Sequence, residues 1–181
     1  MTLHREEGAY SISEDLWNCL LSFFNNLHWE NYLKDMDQQR VPLTFVHGDF
    51  HPGNIMWIPG DSDCKVRLFD WEMVSLGLGP QELGQYVISH LDLSKHGVEV
   101  HRKLVQAYYE ELTTINPEIL HSCSFDACME NFVYGGMRKW LWMLPQLSKW
   151  NVKFMPYFVN QVDSFRAIHK VRPNDVCYPA V

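Results

Sequence analysis

The sequence predicts an α+β chain, mainly helical, with its few strands gathered in one short stretch. Apolar residues recur at helical spacing up to about residue 34 and again from residue 83 onward. Between those regions, short apolar runs alternate with Gly, Pro, Asn and Asp clusters, the signature of strands and turns. The 181 residues are 46% hydrophobic, 14% aromatic and 20% charged, enough core material for one domain.

The same composition narrows the function. Fifteen basic against 22 acidic residues leave a net charge of −7, which disfavours a nucleic-acid or anionic-membrane surface. No apolar run approaches the roughly 18 residues of a membrane span. The first ten residues are polar and carry no hydrophobic signal core. Cysteines stand at 19, 64, 123, 128 and 177, an odd count with no C-x-x-C pair. Reduced thiols in a cytoplasmic protein are the expectation.

Residues 13–34 place Leu16, Trp17, Leu20, Leu21, Phe24 and Leu27 on one helical face, with Ser13 as N-cap and Glu14 and Asp15 in the first turn. Residues 35–40 read as polar linker and 41–46 as a short buried strand. A Gly- and Pro-containing loop follows to Asn54. Residues 55–58 and 64–69 read as two strands of a hairpin around the turn signal Pro59-Gly60-Asp61-Ser62-Asp63. A Gly-rich loop is expected at 75–80. Helical stripes then follow at Leu83, Tyr86, Val87 and Leu91, and at Val100, Leu104, Val105, Tyr108 and Leu112. A third comprises Met129, Phe132, Val133, Trp140, Leu141 and Leu144, expected to pack on the second. Gly135-Gly136 interrupts this last stripe for close approach or a kink, and Pro145 is expected to end it. A weaker helix is expected over 156–170. Three segments result: an N-terminal helix and linker over 1–40, the loops and hairpin over 41–80, and a helical subdomain over 81–181.

Chemistry concentrates in His47-Gly48-Asp49-Phe50-His51-Pro52-Gly53-Asn54 and in Asp70-Trp71-Glu72. Phosphoryl transfer to a hydroxyl needs a carboxylate to orient the acceptor and oxygen ligands to hold Mg²⁺ on the phosphates. Asp49 suits the first role, and the Asn54 amide oxygen and the Asp70 carboxylate suit the second. The hairpin returns residue 70 beside residue 54. His47 and His51 also invite a zinc reading as H-x-x-x-H, but that motif needs a helix, and Pro52 and Gly53 oppose one. A metal-dependent hydrolase using His47, Asp49, His51 and Asp70 is a further alternative. Trp71, Trp140, Trp142 and Trp150 raise the option of an aromatic cage for a quaternary ammonium, against helix-packing core.

The motif H-G-D-x-x-x-x-N, followed after a hairpin by D-x-E, resembles the catalytic and metal loops of kinase-like small-molecule phosphotransferases. That group includes aminoglycoside phosphotransferases and choline kinases, and its loop is similar to the protein-kinase H-R-D-x-x-x-x-N. Gly79-Pro80-Gln81-Glu82-Leu83-Gly84 resembles the group's G-x-x-x-D-L-A, with Glu82 for Asp. Residues 101–112 and 124–143 look most like the choline-kinase-like and ecdysteroid-kinase-like branch. The resemblance implies a protein-kinase-like C-lobe that uses ATP and Mg²⁺. In it, Asp49 is the catalytic carboxylate, Asn54 and Asp70 bind metal and nucleotide, and His47 braces the loop. His51 has a possible contact to the transferred phosphate, and Glu72 assists the metal or anchors the loop. The acceptor would be a small-molecule hydroxyl held by the helices of residues 97–170.

Nothing before Val41 offers the Gly-rich phosphate cover or the strand Lys of an N-terminal lobe; Gly8 is the only glycine before Gly48. The expectation is therefore a C-lobe with the N-lobe absent, whether as a fragment, as a truncated gene product or as a lobe completed from elsewhere. Such a lobe would expose the face an N-lobe covers, favouring self-association or a covering partner. It would be either an enzyme when completed or a catalytically incompetent binding or regulatory module.

Overall fold

The computed structural model describes residues 11–38, 40–58, 66–150 and 152–178, without the side chains of Trp150 and Val152. Helix α1 (Glu14–Asn25) starts where the Ser13 hydroxyl accepts the Leu16 N–H at 3.2 Å, and it buries Leu16, Cys19, Leu20 and Phe23. The single helix expected to residue 34 breaks at Asn26. Its N–H bonds the Phe23 and Phe24 carbonyls, and its side-chain amide donates to the Ser22 carbonyl at 2.9 Å. A second helix, α2 (Trp29–Gln38), takes in much of the stretch read as linker.

Four strands follow: β1 (Leu43–Val46), β2 (Ile55–Trp57), β3 (Val66–Leu68) and β4 (Ser75–Leu78). The expected hairpin forms from β2 and β3, with Ile55 opposite Leu68. Its turn signal and Cys64 lie outside the described residues. The segment read as a Gly-rich loop is β4, paired antiparallel with β1 from Leu43 opposite Leu78 to Val46 opposite Ser75. Strand β1 is not the buried strand its apolar composition suggested. Among the described residues β4 is its one partner strand, and only Val46 is buried, while Leu43, Thr44 and Phe45 are exposed.

Strand β4 runs directly into α3 (Gly79–His90), with Pro80 in the first turn where its missing N–H costs nothing. Helix α4 (Val98–Ile115), α5 (Phe125–Glu130), α6 (Gly136–Trp150) and α7 (Met155–His169) complete the helical part. Residues Asn131–Gly135 form one wide π turn leading into α6. Helix α3 sits centrally against α4, α6 and α7. The close approach expected at the glycine pair is real, because a Cβ on Gly136 would stand 2.9 Å from the Gly84 Cα.

Three expectations fail here for identifiable reasons. Pro145 lies inside α6; it forfeits one backbone hydrogen bond, but buried Leu141 and Leu144 hold the helix on its course. Only part of the third stripe meets α4: Phe132 lies 5.8 Å from His101 and α5 packs on α4, whereas α6, with Trp140 and Leu144, packs against α3 and α7. Trp140 is 2% exposed, stacks on Phe158 at 5.2 Å and donates to the Gln85 carbonyl at 3.1 Å. Helix α4 turns His101 and Val105 inward and leaves Val100 and Leu104 exposed. His101 forms a buried pair with His169 at 2.8 Å, an inward polar residue that hydrophobic periodicity does not register. Among the described residues no helix is long and apolar enough to cross a membrane.

Candidate active site

Val46, the buried end of β1, delivers His47 into the interior, where it is 2% exposed. His47 Nε2 lies 2.8 Å from the Phe69 carbonyl, and the His47 ring lies 4.7 Å from that of Trp71. A carbonyl only accepts, so Nε2 carries the proton. The start of the loop is thereby tied to the end of the hairpin.

Glu82, in the first turn of α3, fixes the loop backbone. Its carboxylate accepts the His47 N–H at 2.8 Å with one oxygen and the Gly48 N–H with the other. Charge-assisted bonds of this kind are roughly twice as strong as neutral ones. Gly48 has φ +82°, and a Cβ there would lie 2.1 Å from the Met73 carbonyl oxygen, so no other residue fits. Sequence reasoning noticed Glu82 only as a variant position in the G-x-x-x-D-L-A pattern. Its grip on the loop needed the fold to bring residues 47 and 82 together.

Asp49 follows, half-exposed. Its Oδ2 lies 3.3 Å from His51 Nε2 and accepts the Asn54 side-chain N–H at 3.2 Å. The same Asn54 nitrogen donates to the Asp49 backbone carbonyl at 3.0 Å. His51 Nδ1 accepts the Gly53 N–H at 3.0 Å, which leaves the ring proton on Nε2, aimed at Asp49. Two donors therefore occupy Oδ2. Among the described residues none binds Oδ1.

Asn54 is 5% exposed, and both bonds of its side-chain nitrogen point to Asp49, which turns its amide oxygen the other way. Its backbone carbonyl accepts the Phe69 N–H at 3.2 Å, one residue before Asp70. The hairpin thus sets Asp70 beside Asn54, as the spacing suggested. Asp70 adopts the left-handed conformation, φ 63° and ψ 59°, at a cost of about 1–2 kcal/mol for a residue with a Cβ. Its carboxylate is exposed, with no hydrogen bond among the described residues. Glu72, in the 3-10 turn Trp71–Met73, is likewise exposed and has no hydrogen bond to Asp49 or Asn54. Direct contacts therefore join Asp49, His51 and Asn54, the hairpin adds Asp70, and Glu72 stands apart.

An aromatic wall from α3 flanks the loop. Phe50 lies 5.4 Å from Tyr86, and His51 stacks on His90 at 5.8 Å. His90 Nδ1 meets the Ser89 hydroxyl at 2.6 Å, and burial, then the neighbouring His51, lowers the His90 pKa. Ser89 and His90 left no sequence signal, since neither belongs to an apolar stripe or a motif. Of the four tryptophans considered for a cage, Trp140 is core, Trp71 packs on His47, Trp142 is half-exposed in a cleft on the α2 side, and the Trp150 side chain lies outside the described residues.

A model of the phosphotransferase enzyme family matches residues 11–109, spanning the loop, the hairpin and the Glu82 turn. The chain belongs to that family. No curated protein and no solved structure matches it. Among the described residues no three His, Cys, Asp or Glu side chains gather as a metal cluster.

Proposed function

We propose that this phosphotransferase uses ATP and Mg²⁺ to phosphorylate a small-molecule hydroxyl, with these residues as the kinase-like C-lobe of its active site. The observation that carries the reading is the asymmetry of Asp49. One carboxylate oxygen is held by Asn54 and His51, and the other is open to an acceptor. In that role Oδ1 receives the hydrogen bond of the acceptor hydroxyl and orients its oxygen for in-line attack. Such catalysis rests on positioning and electrostatics. His51 spends its Nε2 proton on Asp49, which favours a positioning role over contact with the transferred phosphate.

The donor set suits Mg²⁺, a hard cation that takes oxygen ligands and usually keeps several waters. The outward amide oxygen of Asn54 and the unpartnered Asp70 carboxylate would hold it, with Glu72 as an auxiliary. Bound there with nucleotide, it would offset phosphate charge. The left-handed turn at Asp70 is the kind of local strain that persists where a side chain must be presented.

The strand region supports a two-lobe reading. Phe45 is 78% exposed, Leu76 66% and Trp57 61%. An apolar face of this kind fits a covering lobe, a second copy or a partner. It also favours, as a second reading, a module that binds without catalysis.

Calorimetric titration of the chain with Mg-ATP separates these readings. For residues 1–181 by themselves the two-lobe reading expects an affinity in the millimolar range, about 4 kcal/mol or less, because these residues would grip the nucleotide from one side only. Micromolar affinity abolished by Asp70→Ala would defeat the two-lobe reading. For the site itself, Mn²⁺ with millimolar ATP should enhance water proton relaxation, and Asn54→Ala and Asp70→Ala should each remove the enhancement. Enhancement untouched by both changes would defeat the assignment of the metal ligands.

A further inference from the structure

A cleft of about 790 Å³ opens between α2 and α6. That volume is typical of small-molecule sites, which commonly run about 300–1,000 Å³. None of residues 47–54 or 70–72 lines it. Trp29 and Tyr32 stack at 5.4 Å on the α2 wall, and Trp142 stands on the α6 wall. Trp29 is 66% and Trp142 47% exposed, so both rings lie open to a ligand.

The charges of the cleft divide unevenly. Asp35 is neutralised by Arg138 at 3.0 Å, a pair in which both side chains are about 15% exposed. Arg138 is further committed to the Val176 and Cys177 carbonyls and to the face of Tyr178. What remains is Arg40 and Lys139 against Glu130. Among the described residues Arg40 and Lys139 have no acidic partner, and Lys139 rests over the Trp142 ring at 5.9 Å. A cationic excess in a chain of net charge −7 is a local feature that the overall balance opposes.

We infer that this cleft is a second ligand site, taking a planar apolar molecule with an anionic group. Its body lies between the Trp29/Tyr32 stack and Trp142, and its anion meets Lys139. The inference does not depend on the phosphotransfer mechanism. The site has a physical path to the catalytic loop nonetheless. A smaller cavity of about 150 Å³ shares Tyr32, Met36, Leu78, Gln81 and Lys139 with the cleft and ends on Gly48 and Glu82.

Anilinonaphthalene sulfonate is the probe, with its uncharged parent N-phenyl-1-naphthylamine as the control for charge. The sulfonate should bind the full chain at one saturable site, at least tenfold more tightly than the parent. Lys139→Glu should weaken the sulfonate at least tenfold and leave the parent nearly unchanged. Trp142→Ala, a change at an exposed ring that does not threaten folding, should weaken both. Bound sulfonate should slow amide hydrogen exchange in α2 and α6. The exposed strand face is the competing location. Sulfonate binding that ignores Lys139→Glu and Trp142→Ala but disappears in Phe45→Ser/Leu76→Ser would overturn the inference. So would no saturable binding at all, or equal affinity for the charged and uncharged probes.

Discussion

The strand region, residues 43–76, and the helical region from Gly79 onward spend their apolar residues in opposite ways. In the helices Phe132, Trp140, Leu141, Val162 and Phe165 are essentially buried, and α3 and α6 approach until Gly84 and Gly136 touch. In the strands Phe45, Met56, Trp57, Met73 and Leu76 are all more than half exposed. The helical region closes its core together with α1, whose Leu16, Leu20 and Phe23 belong to the same cluster. The strand region is held from below, by Glu82 and by the Val46 and Leu78 ends of its ladder, and leaves its upper face open. The candidate site therefore sits on a thin layer whose geometry depends on the helix beneath it, through the bonds of Glu82 to the loop.

The largest test of that contrast is Trp140→Ala. It deletes a fully buried ring and the bond to Gln85, and large aromatic truncations typically cost about 3–5 kcal/mol. Chemical denaturation should show that loss as a lower midpoint. A loss under about 1 kcal/mol would mean that the helical core is far less tightly packed than its burial indicates.

Acid should strike the helices next. Burial lowers His101 to a pKa of about 4, helped by His96, and burial with the neighbouring His101 brings His169 to about 4 as well. Both values lie below the unfolded value near 6.5, so between those limits the unfolded chain binds more protons. Stability contributed by the neutral pair is complete above pH 6.5, declines as pH falls, and is gone below about pH 4. Melting temperatures from pH 7 to 4 should fall, and less steeply in His169→Gln. Identical profiles for the two proteins would exclude the pair as the cause.

These tests touch what periodicity hid as well as what it revealed. The apolar spacing of α1 and α7 was enough to place them, and Ser13 was readable as a cap because its side-chain chemistry is local. The loop of residues 47–54 was legible as a candidate site because its residues fall within eight positions and the hairpin returns Asp70 by short-range geometry. Strand β4 was not legible, since Ser75-Leu76-Gly77-Leu78 gains strand structure only by pairing with β1, some thirty residues earlier. The exposure of β1 was hidden for the complementary reason: composition reports that residues are apolar, not that nothing covers them. Glu82 and His101 act across the fold, and single-sequence patterns carry no register for such partners.

Glu82 is the joint between the regions, and Glu82→Ala probes it. The change leaves the His47 and Gly48 N–H groups without their acceptor, and each unmet buried group costs about 1–3 kcal/mol, less where water enters. The expected result is faster amide exchange over residues 47–54 with the helical circular dichroism signal preserved. Glu82→Asp should recover part of the protection, because the carboxylate survives on a shorter stem. If exchange in α6 and α7 rises as much as in the loop, Glu82 supports the whole fold and not a joint.

The smallest thermodynamic effect should come from the most conspicuous residues. Phe45→Ser/Leu76→Ser removes two side chains that are 78% and 66% exposed, so little area leaves the folded core. Exposed substitutions away from caps and strained positions generally fall within about ±0.5 kcal/mol. Serine also lowers strand propensity, which sets a modest cost against the gain from hiding less apolar surface from water. The folding midpoint should therefore stay nearly fixed. What should change is association: if the open face draws copies or partners together, sedimentation at rising concentration should show less self-association in the double variant. A large fall in the midpoint with no change in sedimentation would mean that these side chains serve the chain's own core. The contrast between a closed helical region and an open strand region would then have to be abandoned.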